Sequence, residues 1–398
     1  MSEKLINHNP DLKKLRDSGA DMEIRGDFLI LHGVPYVTSQ GTIAHAALVT
    51  DLQQNGDTVP PPRSHQVWFT GDYPCDKNGN PIEAIRHSSN NQPLCDGIVA
   101  KHHFSCKPKG GYPDYYEKMT RYADIISHPA RALDDRLTPY PHKPIRATDE
   151  ESIFHYPDTA SSRYGITGLS EKCSMNKVVI VGLGGTGSYI LDLIAKTPIR
   201  EIHLIDGDRF SQHNAFRAPG APSLEELEKM PPKVAYYASR YGKMHRGITP
   251  HAVYLDDETL RLLDGADFVF LCVDKPAVRK LAFAHLIAQG IPFIDTGMGL
   301  EYIEEDTCLI GDCRATLCTP AQHDHLARRV STADTAADDI YDSNIQVADM
   351  NMLNAAFAVM KWKKYCGFYQ DIYKEHNTTY SINSHHVTRD ETTLKAIK

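Results

Sequence analysis

The sequence contains no run of apolar residues long enough to cross a membrane, since a transmembrane helix requires about 18 of them in succession. Its first residues, MSEKLINHNPDLKKLRDSGADM, are polar and lack the charged, apolar and small-residue order of a secretory signal. We therefore expect a cytoplasmic protein without a membrane partner.

An excess of positive charge is also missing. Lysine and arginine number 43 against 51 aspartate and glutamate residues, so the formal net charge is -8. Because surfaces that bind nucleic acids are strongly basic, this balance argues against a nucleic-acid partner.

Paired cysteines are absent from the sequence as well. Its nine cysteines are an odd number, and none of them forms a CxxC pair. This pattern argues against a disulfide scaffold and against a zinc ribbon made of two CxxC pairs. His323 and His325 do not have the spacing that would let them take the place of such cysteines as zinc ligands. We expect free thiols and no structural zinc.

The chain has 398 residues, of which 41% are hydrophobic, and is therefore long enough to form two domains. Polar residues and prolines interrupt the pattern near residue 150. Before this break, the spacing of apolar residues predicts strands at 28–37 and 65–74 and a helix at 112–133, a smaller α+β domain. The predicted divisions are an N-terminal domain at 1–138, a linker at 139–160, a second domain at 161–370 and a C-terminal tail at 371–398.

After the break, short β-branched runs alternate with helical patterns. VVIVGLG precedes SYILDLIAK, EIHLID precedes KVAYYASRYGKM, and DFVFLCVD precedes PAVRKLAFAHLIAQG. This alternation predicts an α/β fold, a parallel sheet wrapped by helices.

A glycine-rich turn follows the first of these strands. Gly182, Gly184, Gly185 and Gly187 separate the strand from an amphipathic helix, so backbone amides at the helix start can approach an anionic group. The turn predicts a phosphate site. By itself it does not name the ligand, because NAD enzymes, flavoproteins and several ATP users share it, and a turn without a ligand stays an alternative.

Charged residues after the next strands favour a nucleoside triphosphate. Asp206 follows the second strand, where a carboxylate accepts hydrogen bonds from a ribose. Asp208, Asn214, Arg217 and Lys233 add anions and cations suited to a triphosphate with a metal.

A further carboxylate, Asp274, ends the strand DFVFLCVD at the same predicted edge of the sheet. It is a candidate Mg²⁺ ligand. The alternative is that Asp274 caps the helix that begins at Pro276.

These elements together resemble the ThiF/MoeB adenylyltransferases, whose eukaryotic relatives are the ubiquitin-activating enzymes. GLGGTGS is similar to the nucleotide loop, LIDGD to the acidic strand, NAFR to the Asn-x-x-Arg element, PPKV to the lysine segment and LCVDKPAVR to the Cys-Thr-Asp-Asn-x-x-x-Arg segment. The resemblance covers about residues 150–370, and five elements in the right order carry it.

The resemblance implies a Rossmann-like adenylation domain that uses ATP and Mg²⁺. The C-terminal carboxylate of a ubiquitin-like or sulfur-carrier protein, usually ending in Gly-Gly, attacks the α-phosphate and releases pyrophosphate. It implies that Asp206 holds the ribose and that Asn214, Arg217 and Lys233 contact the phosphates. It also implies that Asp208 lies beside the triphosphate or the metal and that Asp274 coordinates Mg²⁺.

The family resemblance also implies a homodimer. In the family an arginine ahead of the glycine loop reaches the γ-phosphate across the dimer interface, and Arg163 is the candidate here. An exposed structural arginine is the alternative reading.

Family members that form a thioester carry a cysteine after the strand similar to IPFIDTG. Cys308, Cys313 and Cys318 occupy that region, and we expect Cys313 to be the acceptor because neighbouring Arg314 favours its thiolate. The segment is also apolar and strand-like, so buried, inert cysteines are the alternative.

The N-terminal stretch, with HQVWFTGDYPCDKNGNPI, resembles a domain fused ahead of bacterial ubiquitin-activating-like proteins and related to the ubiquitin-conjugating fold without its chemistry. Cys106 lies beside His102, His103 and Lys107 and is a candidate activated thiol. The alternative is that Cys106 belongs to a strand end that packs on the helix. We expect this domain to recognise the partner protein, and a conjugating enzyme is a further candidate partner.

Other functions stay open at this stage. An NAD(P) oxidoreductase accounts for the glycine turn and Asp206, but hydride transfer does not require Arg217, Lys233 and Asp274. A scaffold that binds nucleotide without catalysis, and adenylation of a small molecule or of a tRNA base, are the remaining alternatives.

Overall fold

The computed structural model describes residues 2–144, 152–330 and 345–392, and the chain divides into two compact units. The first comprises Met1–Ser152 with Tyr156–Gly165, and the second comprises Ile153–His155 with Ile166–Lys398. The first unit therefore extends past residue 138, where the sequence placed its end.

The first unit is built on a six-stranded antiparallel sheet with the strand order β1-β2-β3-β4-β6-β5. The strands are β1 (Met22–Arg25), β2 (Phe28–Val37), β3 (Ile43–Asp51), β4 (Gln66–Phe69), β5 (Arg86–Cys95) and β6 (Ile98–Ser105). The helices are α1 (Ser2–His8), α2 (Pro10–Asp17), α3 (Tyr115–Leu133) and α4 (Thr159–Arg163). The strand predicted at 65–74 is thus shorter than expected.

Helix α3 supplies most of the helical side of this unit's core. Its first turn is fixed by Asp114, whose carboxylate accepts a hydrogen bond of 2.7 Å from the Glu117 N–H, so the helix begins later than residue 112. Its buried face, which includes Met119 and Ile126, packs with Leu29 and other sheet residues in one apolar cluster.

The second unit is a mixed eight-stranded sheet with the order β14-β13-β12-β11-β10-β7-β8-β9. Strands β11, β10, β7, β8 and β9 run parallel, and β12 to β14 extend the sheet in antiparallel fashion. The strands are β7 (Lys177–Val181), β8 (Glu201–Ile205), β9 (Ile248–His251), β10 (Phe268–Leu271), β11 (Phe293–Ile303), β12 (Cys308–Cys318), β13 (Glu375–Ser381) and β14 (His386–Thr392).

Helices connect these strands and cover both faces of the sheet. They are α5 (Thr167–Ser170), α6 (Gly185–Ile194), α7 (Gln212–Ala215), α8 (Leu224–Glu228), α9 (Lys233–Tyr241), α10 (Pro276–Gln289), α11 (Leu326–Arg329) and α12 (Ala348–Tyr365). Because side chains alternate along a strand, Val178 packs in the cluster with Trp362 of α12, whereas Val179 packs in the cluster with Phe283 of α10. The result is the α/β fold that the alternating pattern predicts.

The C-terminal residues complete this sheet, so the domain extends past residue 370. Strand β13 pairs with β12 from Asp312↔Ser381 to Thr316↔Asn377, and β14 pairs with β13. The sequence of β13, EHNTTYS, does not show the apolar pattern that predicts a strand, because even its buried positions include the polar residues Glu375 and Asn377. The polar stretch STADTAADDIYDS, which the sequence predicts to be a loop at 331–343, lies outside the described residues.

Within the described ranges, no helix is long and apolar enough to cross a membrane. Among the same residues, no group of three or more histidine, cysteine, aspartate or glutamate side chains is placed to hold a metal ion.

Candidate functional site

A cavity of about 490 Å³ opens at the carboxyl ends of the parallel strands in the second unit. Among the described residues, six basic and three acidic side chains line it, so this part of its wall carries a surplus of positive charge. They are Arg217, Lys233, Lys275, Arg279, Arg314, Arg329, Asp206, Asp208 and Asp274. Such a wall suits a polyanionic ligand at the sheet edge, where open α/β folds bind their ligands.

The glycine turn forms one side of this cavity. Gly182 has a φ of +88° and the Cβ of any other residue there would lie 2.6 Å from the carbonyl oxygen of Cys272. At Gly187 a Cβ would lie 1.9 Å from the carbonyl oxygen of Gly182. Only glycine therefore lets the strand turn this tightly into α6, whose first amides lie beside the cavity at Gly184 and Gly185.

Asp206 lies directly after β8, as predicted, and fastens the glycine turn. Its Oδ2 accepts a hydrogen bond of 2.6 Å from the Leu183 N–H, and its Oδ1 accepts one of 2.8 Å from the Asp208 N–H. Burial raises the pKa of the Asp206 carboxyl above its ordinary value, although Lys233 and these amides oppose that effect.

Asp208 is held by two partners across the cavity wall. Lys233 Nζ donates to its Oδ2 at 2.7 Å, and the Tyr254 hydroxyl donates to its Oδ1 at 2.7 Å. Burial would raise the pKa of Asp208, but these hydrogen bonds outweigh it and the pKa lies below its ordinary value. Tyr254 was missed by sequence reasoning, because no motif marks it; its ring lies against Gly207, where a Cβ would come within 2.7 Å.

Arg217 lines the cavity with a buried donor that has nothing to bind. Its Nε is inaccessible to solvent and has no hydrogen-bond partner among the described residues. A buried, unsatisfied guanidinium N–H is unfavourable unless a ligand accepts from it.

Asn214 is placed differently from the expectation. It is not among the described residues that line the cavity, and its Oδ1 accepts hydrogen bonds from the N–H and the hydroxyl of Ser211 at 3.0 and 2.9 Å. Its side chain oxygen therefore closes the first turn of α7, in a capping box.

Asp274 lines the cavity and is exposed, and its carboxylate accepts no hydrogen bond within the described part of the chain. Helix α10 has Lys275 at its N-cap and no side-chain capping bond, so the cap alternative for Asp274 is wrong. A free carboxylate fits Mg²⁺ carried in with a nucleotide, whereas both oxygens of Asp208 are already engaged.

A buried ion-pair network that the sequence did not reveal stands on the opposite side of the cavity. Asp295, fully buried, accepts hydrogen bonds from Arg279 Nε at 2.9 Å and from Arg314 Nη2 at 2.7 Å. Arg279 also donates to the carbonyl oxygen of Val273 at 2.7 Å, which holds the loop that carries Asp274.

Two asparagines of α12 complete this side of the cavity. Asn351 accepts a hydrogen bond of 3.0 Å from the Thr186 hydroxyl, and it lies where a Cβ at Gly185 would clash. Asn354 donates from Nδ2 to the carbonyl oxygen of Gly297 at 3.1 Å, and its buried Oδ1 has no partner among the described residues.

The expectation that Cys313 carries a reactive thiolate is wrong. Its side chain is buried in a cluster with Leu300 and Met350, and burial raises the pKa of the Cys313 thiol to about 12. Arg314 does not lower this pKa, because its guanidinium is engaged by Asp295 and Thr316. Burial also raises the pKa of Cys318, and among these three cysteines Cys308 is exposed.

The remaining sequence candidates belong to the first unit. Arg163 is exposed at the end of α4, and its action across a dimer interface stays a prediction. Cys106 is half-buried at the end of β6, where its N–H donates to the Tyr122 hydroxyl, while the His102 ring contacts Ser89 and the His103 ring stacks on Trp68. These histidines thus have partners other than the thiol.

Two family models match the chain in succession. Residues 10–159 match a domain of unknown function, DUF6791, and residues 159–320 match the ThiF family. The second match contains the glycine turn, Asp206 and Asp274.

Two relatives are similar over part of their length. The adenylyltransferase and sulfurtransferase UBA4 of Yarrowia lipolytica is 30% identical over 134 residues, 33% of this chain and 33% of that protein. The molybdopterin-synthase adenylyltransferase of Escherichia coli K12 is 29% identical over 127 residues, 30% of this chain and 48% of that protein. The chain thus spans between a third and a half of these relatives.

Solved structures with a similar fold include E. coli MccB with ATP, which is 19% identical with a TM-score of 0.46 and covers 60% of this chain and 71% of that one. PaaA is 15% identical with a TM-score of 0.44 and covers 71% of this chain and 88% of that one. Residues 159–320 are therefore similar to the ThiF family both in the family match and in the motifs of the cavity wall.

Proposed function

We propose that the second unit uses ATP to adenylate the C-terminal carboxylate of a ubiquitin-like or sulfur-carrier protein, with release of pyrophosphate. The observation that carries this proposal is the buried Arg217 donor without a partner, in a cavity wall with surplus positive charge. The names of the two sequence relatives, both adenylyltransferases, support it.

Each side chain has a task in this reaction that its position supports. Asp206 accepts hydrogen bonds from the ribose, the first amides of α6 cradle phosphate, and Arg217 and Lys233 offset the triphosphate charge. Asp274 would hold Mg²⁺, which supplies further charge neutralisation at the phosphates. The attacking group is already an anion, so the reaction needs no general base; it needs cations and fixed geometry.

Lys233 must exchange partners when the nucleotide binds. In the structure its ammonium pairs with Asp208, and a phosphate oxygen is a competing anion for the same ammonium. Asp208 then keeps its hydrogen bond from Tyr254 and takes the place beside the phosphates that the family resemblance implies.

The partners form the second part of the proposal. We propose that the protein forms a homodimer in which Arg163 reaches the nucleotide bound to the partner subunit. We also propose that the first unit recognises the carrier protein. The reaction would take place in the cytoplasm, with a conjugating enzyme as a further partner. If the acyl group moves on to a thiol of the segment after β11, the exposed Cys308 is a better acceptor than buried Cys313.

Calorimetry with ATP and Mg²⁺, and separately with NADH, tests the nucleotide class directly. We expect uptake of ATP with Mg²⁺, an affinity about 30-fold lower in Arg217→Ala, and wild-type behaviour in Lys243→Ala, which removes an exposed cation outside the cavity. Binding of NADH in place of ATP would refute the proposal and support the oxidoreductase.

Exchange of labelled pyrophosphate into ATP, with candidate carrier proteins present, tests the reaction. Asp274→Ala is expected to abolish exchange and leave the melting temperature unchanged, while the matched control Asp257→Ala, at an exposed aspartate that does not line the cavity, keeps full exchange. Full exchange in Asp274→Ala would remove this residue from the metal site.

A further inference from the structure

The polar groups of the cavity fall into two sets on opposite sides of the glycine turn. Ile205, Val181, Leu271 and Asp295 form one row across β8, β7, β10 and β11. Neighbouring strands lie about 4.8 Å apart, so three steps separate the end of β8 from β11 by roughly 14 Å. A nucleotide whose ribose lies at Asp206 therefore leaves the β11 side for another group.

On the β11 side, the ion-pair network of Arg279, Arg314 and Asp295 has one positive charge in surplus. Arg279 and Arg314 share the single carboxylate of Asp295, and both guanidinium groups line the cavity. The Arg314 guanidinium lies against Gly297, where a Cβ would come within 2.7 Å of its Nη2. An anion entering from the cavity would meet this surplus charge in a partly dry wall, where charge-assisted hydrogen bonds are strong.

The same side presents a buried acceptor without a partner. Asn354 is only 1% exposed, its Nδ2 is fixed on the carbonyl oxygen of Gly297, and this contact assigns Oδ1 as the atom left unsatisfied. Because Asn354 also lines the cavity, an N–H group of a bound molecule can satisfy it.

A carboxylate next to an amide N–H is the chemistry of a peptide C-terminus. We infer that Arg314 and Asn354 form the subsite for the C-terminal residue of the acyl substrate, with Arg314 on its carboxylate and Asn354 Oδ1 accepting from its amide N–H. This inference rests on the proposed adenylation, and it selects a peptide or protein tail over a small carboxylic acid or a tRNA base, neither of which offers both groups in this arrangement.

Stable mimics of the acyl adenylate test the subsite without knowledge of the carrier protein. The probes are 5′-O-sulfamoyladenosine, which has no tail, its N-glycylglycyl derivative, and its N-glycylsarcosyl derivative, in which a methyl group replaces the last amide hydrogen. The ratio of the dissociation constants of two probes gives the contribution of the tail to binding, separate from that of the nucleoside.

In the wild type we expect the glycylglycyl tail to tighten binding about 10- to 100-fold, the range for hydrogen bonds with a charged partner, and sarcosine to remove much of this gain. Asn354→Ala is expected to bind both tailed probes equally. Arg314→Gln is expected to lose most of the tail's gain, because the acyl sulfamate keeps one carbonyl oxygen of the former carboxylate for Arg314 to bind. The same variant is expected to bind sulfamoyladenosine and ATP as the wild type does. Met352→Ala, an exposed position on α12, is the matched control with wild-type ratios.

The outcomes separate this inference from the proposed function. If sulfamoyladenosine and ATP both fail to bind the wild type, the proposed function is wrong. If they bind but the tail adds no affinity, or its gain survives in both variants, the subsite is wrong and the nucleotide site stands. Weaker ATP binding in Arg314→Gln would assign Arg314 to the nucleotide. Should Asn354→Ala fail to fold, the sarcosine comparison on the wild type decides alone.

Discussion

Replacing Arg217 by methionine should make the empty protein more stable and its nucleotide complex weaker. Arg217 Nε is a buried donor without a partner among the described residues, and such a group costs about 1–3 kcal/mol. Methionine fills a similar length without a polar atom, so we expect a gain of about 1 kcal/mol, or about 2–4 °C in melting temperature for a unit of this size.

The nucleotide effect has the opposite sign. Loss of one charge-assisted hydrogen bond corresponds to about 1.5–3 kcal/mol, so a weakening of about 30-fold is expected. At an ATP concentration 100 times the wild-type dissociation constant, binding stabilises the wild type by about 2.7 kcal/mol and the variant by only about 0.9 kcal/mol. The ATP-induced rise in melting temperature should fall from about 5–10 °C to about 2–4 °C.

Differential scanning fluorimetry with and without ATP and Mg²⁺ measures both quantities on the same samples. Lys243→Met is the control, because it removes an exposed cation outside the cavity and should alter neither value. An Arg217→Met variant that melts lower than the wild type when empty, yet keeps the full ATP-induced rise, would refute the argument that this donor is reserved for a ligand.

Three further predictions concern backbone, charge and thiols. Gly187→Ala should lower stability by about 1–3 kcal/mol and prevent ATP binding, because its Cβ meets backbone, whereas Gly168→Ala, which meets nothing within 4 Å, should leave ATP calorimetry unchanged. Burial lowers the pKa of Lys118 to about 8. Between pH 8 and 10.5 the unfolded chain therefore holds a proton that the folded chain has lost, so the free energy of unfolding should rise with pH by up to about 3 kcal/mol. Urea unfolding of Lys118→Met should show higher stability at pH 7 and lack this rise; an equal pH dependence in both proteins would contradict the assignment. Iodoacetamide should label Cys308 in the native protein and leave Cys313 unlabelled until the protein is denatured, as mass spectrometry of tryptic peptides can show; rapid native labelling of Cys313 would contradict its burial.

The half of the site that sequence predicted is the half built from consecutive β–α units. The glycine turn, Asp206 and Asp274 each follow a parallel strand, and the carboxyl ends of such strands meet at one edge, so their order in the chain is enough to place them together. Arg217 and Lys233 follow the same logic, because the segment after β8 returns to that edge.

The other half depends on long-range pairing that leaves no local pattern. Arg314 reaches the cavity from antiparallel β12, and Asn354 from a helix whose apolar residues suggest only core packing. Nothing in the sequence near Asp295 indicates that two arginines, 16 residues before and 19 residues after it, share its carboxylate. The signal for such residues is a polar side chain inside an apolar segment, because a buried polar group needs a hydrogen-bond partner.

Among the described residues, the cavity wall has a buried donor without a partner on one side and a buried acceptor without a partner on the other. Most of its other polar groups are occupied, since Lys233 holds Asp208 and Asp295 holds its arginines. A nucleotide at the glycine turn can accept from Arg217 Nε, but its phosphates carry no hydrogen to donate to Asn354 Oδ1. The ribose hydroxyls of that nucleotide are assigned to Asp206 on the other side of the cavity, so the N–H group of a peptide tail is the donor that we propose for Asn354 Oδ1. This arrangement favours a reaction between a nucleotide and a peptide carboxylate.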